Sequence, residues 1–197
     1  MPTAVIDAAY DGETTASLKT DTGSTFQLSG TDGGVERPYW RFSLSSITAG
    51  STVDDSDFQC NVTAETLTGT DQVNINAYNS TGDDDPELDA AATAHTRCAG
   101  TTLVSETALY QSTGSKSSDL GATADSQIQG NISSPGFYSI AMTHTNFGAA
   151  DTMDIEAIEN VGTDPATLTV VYTEPTPILA IVSTNAEIAF RDYMVAY

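Results

Sequence analysis

The sequence predicts an all-β protein: an antiparallel β-sandwich of jelly-roll type with long polar loops and a C-terminal extension. Three observations lead there. Apolar and polar residues alternate with period two, most plainly in "PYWRFSLSSI" at 38–47. Threonine occurs 30 times in 197 residues, and together with Val and Ile it favours half-buried strands over helices. Gly, Asn, Asp and Ser punctuate the chain at intervals of about 10–15 residues, as expected for many short strands joined by turns.

Taken in order, residues 1–36 carry three strand-like pieces, "TAVIDA", "TASLKT" and "TFQLSG", separated by Gly/Asp turns. In the next strand the alternation turns Trp40, Phe42 and Leu44 inward and Tyr39 outward. "DFQCNVTAE" follows, with Phe58, Cys60 and Val62 on its core face, and "DQVNINAYN" with Val73, Ile75 and Ala77. The segment 79–100 is the longest break; "DPELDAAATAH" within it has the propensity for one or two helical turns starting at Asp85 or Pro86, over the end of the sandwich. Beyond it come "TLVSETALYQS", a polar loop "TGSKSSDLGATADS", and the strands "QIQGNI", "FYSIAMTHT", "TMDIEAIEN" and "PATLTVVYT". Proline-rich "EPTP" then closes a domain over 1–174 and leaves 175–197 as an apolar, aromatic extension, either a last strand or an arm for a neighbouring subunit.

Charge excludes several functions. With 27 acidic and 6 basic residues the net charge is −21, and the six cations are scattered, so the chain lacks a phosphate-binding footprint for nucleic acid. Repulsion of this density suits molar salt, where the screening length falls from about 10 Å at 0.1 M to about 3 Å at 1 M; the alternative is an acidic, soluble surface protein of an ordinary organism. The N-terminus has no secretory leader pattern, and the most apolar run, "ILAIV", is far too short to cross a bilayer. His95 and His144 stand in no metalloprotease or hydrolase motif, and no phosphate-cradling glycine loop is present. The expectation is therefore a non-enzymatic protein without a cofactor. A structural Ca²⁺ or Mg²⁺ is the one exception, for which Asp83, Asp84 and Asp85 with Glu87 are the candidate ligands, set against a merely solvated loop. Cys60 and Cys98 either form one disulfide or remain two reduced core thiols. Tyr39, Tyr78, Tyr110 and Tyr138 are the aromatics available to stack on a sugar.

The stretch "RPYWRFSLSSITAGSTVDDSDFQCNVTA" resembles the strand–loop–strand core of the DNRLRE family, a carbohydrate-binding-module-like domain related to disaggregatase repeats. Arg41, Phe42, Leu44, Ser45, Ala49, Gly50, Thr52 and Val53 occupy the family's positions, as do Glu156, Pro165, Leu168, Val170 and Tyr172 near the end. The resemblance spans about residues 4–173. It implies a β-sandwich of the kind carried by extracellular proteins and virus particles, in several members with polysaccharide binding. Joined to the acidic balance, it yields two expectations. The first is a structural protein on the surface of a virus particle, a head decoration or turret subunit of a tailed virus with a halophilic host. Such a subunit would be made in the host cytoplasm, would be homo-oligomeric with a trimer favoured, and would rest on a major capsid or other virion protein. The second is an extracellular carbohydrate-binding or adhesive module facing a host-surface polysaccharide.

Overall fold

The computed structural model describes residues 1–30, 35–160 and 165–176. The expected extension 175–197 lies outside these apart from its first two residues. Among the described residues eleven strands form one continuous antiparallel sheet folded into two layers, the all-β sandwich-like class that the sequence predicts. The first layer holds β3 (Thr25–Ser29), β10 (Thr152–Glu156), β5 (Thr52–Glu65) and β11 (Thr167–Thr173). It is completed by β8 (Gly114–Asp119), on the far side of β5, and by the start of β1 (Thr3–Thr14). The second layer holds β2 (Lys19–Thr20), the remainder of β1, β4 (Arg37–Ser43), β9 (Phe137–Thr145), β6 (Gln72–Ala77) and β7 (Thr102–Glu106).

β1 belongs to both layers because of a bulge. Its residues 3–7 pair with β11, its residues 8–14 with β4, and the register slips between Ala8 and Tyr10. One extra residue reverses which side chains face inward. Before the bulge Ala4, Ile6 and Ala8 point into the core; after it Asp11 lies across from inward-facing Trp40, while Tyr10 and Gly12 move to the outer face.

The core sits between the layers. Trp40 and Phe42 from β4 meet Phe58 from β5, with ring centroids 5.1 and 6.1 Å apart, and all three are fully buried. Each such side chain stabilises the fold by about 1.5–3 kcal/mol through burial. The inward sets read from the sequence, Trp40/Phe42/Leu44, Phe58/Cys60/Val62 and Val73/Ile75/Ala77, are all buried.

Two helices correct the sequence reading. "QIQGNI" is not a strand but the end of α2 (Gly121–Asn131), and the supposed loop before it contains β8. Only Ala124 and Ile128, four apart, give α2 an apolar stripe; Ser56 donates to Asp125 at 2.6 Å and Gln129 accepts from the Val53 amide at 3.1 Å, seating it on β5. The second helix, α1 (Ala91–Arg97), starts later than Asp85 or Pro86. It covers the outer face of the second layer rather than the end of the sandwich, since Ala94 and Cys98 pack with outward-facing Tyr39, Tyr78 and Ala141.

Candidate functional site

The most heavily built polar region is the connection between β6 and β7, residues 79–100, which folds back over the outer face of the second layer. Its base is closed by backbone bonds: the Asn79 amide donates to Arg97 O at 2.7 Å and the Thr101 amide to Asn79 O at 3.1 Å. Gly100 is required there, because a Cβ would run into the carbonyl oxygens of Asn79 and Ala77. Beneath this strap the rings of Tyr10, Tyr39 and Tyr78 form a row with centroid separations of 6.1 and 6.2 Å. Tyr39 can lie over β1 only because Gly12 has no side chain; a Cβ there would stand 2.5 Å from the Tyr39 hydroxyl.

Four of the six cations fasten the strap. Arg41 pairs with Asp85 and, at 3.0 Å, with Glu87, and its guanidinium stands over the rings of Tyr10 and Phe137. Arg97 pairs with Asp89 at 2.9 Å and Asp84 at 3.3 Å. The Lys19 ammonium donates to three carbonyls, Pro86 at 2.6 Å, Glu87 at 2.9 Å and Asp89 at 3.3 Å. Arg37 donates to His95 O at 2.6 Å, at the C-terminal end of α1, where a cation is favoured. The Tyr78 hydroxyl donates to Asp89 at 2.7 Å; burial first, then this bond to a carboxylate, holds its phenol far above the usual range. Burial and the neighbouring Arg37 hold His95 below its ordinary value, against the bond to the Thr14 carbonyl.

These contacts change the expectation for the candidate metal ligands. Asp83 accepts from the Thr81 hydroxyl, Asp84 from Asn79 and Arg97, and Asp85 and Glu87 from Arg41. Asp84 points at one guanidinium group, Asp85 and Glu87 at another, and Asp83 at a hydroxyl, and among the described residues no group of three or more His, Cys, Asp or Glu is placed to hold a metal ion. Of the two alternatives for the cysteines, the structure has the reduced one. Cys60 and Cys98 are free, buried, and in different hydrophobic clusters, Cys60 between the layers and Cys98 under the strap. The four tyrosines offered for sugar stacking, Tyr39, Tyr78, Tyr110 and Tyr138, are all fully buried; Tyr39 faces outward as predicted, but the strap covers it.

A second polar feature had no sequence signal. The bulge in β1 turns Asp11 and Glu13 toward the opposite layer, where Asp11 accepts from the Ile158 amide at 2.8 Å and Glu13 from the Gln27 amide at 2.6 Å. Burial, only partly offset by the Ile158 bond, pushes Asp11 up to about 7, with Glu159 adding to the shift. Burial likewise raises Glu13, with smaller upward contributions from Glu36 and Asp154. Asp11 is 1% exposed, and its bond to Ile158 ties the two layers together.

Among the described residues no helix is long and apolar enough to cross a membrane. A scan of protein-family models and a search of curated proteins match nothing in this chain.

Proposed function

We propose that this chain is a non-enzymatic structural subunit on the surface of a virus particle, a head decoration or turret protein of a tailed virus whose host lives in concentrated salt. The observation that carries the reading is how the charge is divided. Every described cation is engaged: Arg41, Arg97, Lys19 and Arg37 at the strap, and Lys116, which is 8% exposed and donates to Ser112 at 2.7 Å. The outside is left to acids, including Asp7, Asp54, Asp55 and Asp119 on the first layer. A surface of this kind stays dispersed in brine and repels itself in dilute buffer.

The DNRLRE resemblance supports the same reading, since that family's sandwiches occur on particles. The subunit is homo-oligomeric, with a trimer favoured, and is seated on a major capsid or other virion protein. The second reading, an extracellular polysaccharide-binding module, rests on the resemblance alone, because the tyrosines it would use are buried. Particles banded from lysate, probed by peptide mass spectrometry and by antibody labelling in the electron microscope, test the proposal. Regular labelling of the particle surface supports it; recovery of the chain only from the particle-free supernatant overturns it.

A further inference from the structure

Large apolar side chains are rare on the described surface. Met1, Val5, Leu18 and Leu88 are the exposed ones. Met1 and Val5 stand at the start of β1, but Leu18 and Leu88, 63% and 82% exposed, belong to two separate loops that Lys19 bolts together. Leu18 sits in the β1–β2 turn, where its amide donates to the Thr15 hydroxyl at 3.0 Å and its carbonyl accepts from the Thr15 amide at 2.8 Å. Leu88 sits in the strap, with its amide donating to Asp85 O at 3.2 Å. Both leucines are thus presented to solvent on backbone that is already ordered. Displaying them costs solvation and contributes nothing to the core, whereas a ligand meeting them has little ordering entropy to overcome.

The chain contains a matching segment. Residues 177–197 lie outside the described structure and are its most apolar stretch, with Ile178, Leu179, Phe190 and Tyr193 among them. They also contain Arg191 together with Glu187 and Asp192, so the segment has no net positive charge to offer and its match to the leucine pair is apolar.

The departure point decides between a contact within one chain and one between copies. Residue 176 follows β11 beside the start of β1: the Tyr172 amide donates to Pro2 O at 3.1 Å, and Pro175 lies 3.8 Å from where a Gly50 Cβ would stand. The leucine pair is beyond the other end of β1, at most about 35–40 Å away along the strand at the rise of an extended chain. A segment folding back onto its own sandwich would spend as much as half of its reach, about 70 Å when fully extended, on crossing it. A neighbouring copy brings its leucine pair to the departing segment with no such crossing.

We infer that Leu18 and Leu88 form a docking site for residues 177–197 of a second copy of this chain, a heterologous contact that closes into a ring. The inference deepens the proposed homo-oligomeric particle subunit and rests on that reading.

The experiment uses complementation in 2 M KCl, followed by sedimentation equilibrium. One protein ends at Glu174 and keeps the leucines; the other is full length and carries Leu18→Ser with Leu88→Ser. Both changes are on the surface, and retention of the native circular dichroism and melting transition confirms the fold. The full-length wild-type chain associates as concentration rises, each altered protein alone is at least 10-fold weaker, and mixing the two restores a 1:1 complex. A monomeric wild type, unchanged association of the serine variant, or no complex on mixing overturns the inference. A concentration-independent crosslink between Leu88→Cys and a benzoylphenylalanine placed at residue 190 would show docking within one chain and overturn it as well. Particle labelling is read independently, so loss of this contact and loss of the particle assignment are separable.

Discussion

Asp57 on β5 lies directly across from Asp119 on β8, a cross-strand pair of like charges on the outer face of the first layer. Burial, Asp55 and Asp119 all raise the carboxyl of Asp57 above its ordinary range. Like charges at this spacing destabilise by about 0.2–1 kcal/mol, and salt screens the effect. Asp119→Asn should raise the melting temperature in 0.1 M salt and give a smaller gain in 2 M. Equal gains at both salt concentrations, or none, would remove repulsion as the reason for salt dependence.

Asp11 gives a pH dependence of defined sign. Its folded value, about 7, lies above its unfolded value of 3.8, so the folded chain holds the proton more tightly. The contribution of Asp11 to stability is therefore greatest below pH 4, falls as pH rises, and levels off above pH 7. The groups facing it are the Ile158 amide and the carboxylate of Glu159. Asp11→Asn keeps an acceptor for Ile158 and removes the buried charge. At pH 8 it should exceed wild type by on the order of 2–4 kcal/mol in urea unfolding, with the gap closing by pH 4. A gap that does not change with pH would show that burial of the charge is not responsible.

Lys19→Met leaves three carbonyls of the strap without their donor while keeping the length of the side chain. The loss should be about 1–3 kcal/mol and confined to the strap. Hydrogen exchange should then quicken at Asn79, Leu88 and Thr101 but not at Ile75. Uniform acceleration throughout would mean that the strap and the sandwich open together.

Cys60 is buried and its thiol is pushed up to about 12, and burial raises Cys98 too. The native chain should give no reaction with an aromatic disulfide reagent, and two thiols per chain after unfolding without a reductant. Fewer than two would indicate a bridge.

The architecture was legible in the sequence where one face of a strand alone decides packing. Phe58, Cys60 and Val62 alternate with polar neighbours, and that pattern survives to the structure. α2 was hidden because Ala124 and Ile128 are its whole stripe, and the polar residues around them read as loop. The strap was visible only as a long break. Its fasteners come from β2, β4 and α1, and no local pattern links Lys19 to Pro86 or Arg41 to Asp85. Asp83, Asp84, Asp85 and Glu87 read as a cluster because they are close in sequence, but Arg97 takes Asp84, Arg41 takes Asp85 and Glu87, and Asp83 turns to Thr81. The scarcity of cations was the available clue: in a chain with six, each one's partner matters. Asp11 could not be placed inward from alternation, since the bulge at Ala8–Tyr10 reverses the pattern.

That shared strand also has a mechanical meaning. A sandwich whose layers are separate sheets can come apart by sliding one layer over the other, breaking side-chain contacts while every ladder stays intact. Here β1 is hydrogen-bonded to β11 at one end and to β4 at the other, so sliding must tear backbone bonds in at least one of the two ladders. Force applied along β1, between its start and the β1–β2 turn, is borne in shear by two ladders in series. The weakest point on that line is the bulge, where pairing is already interrupted.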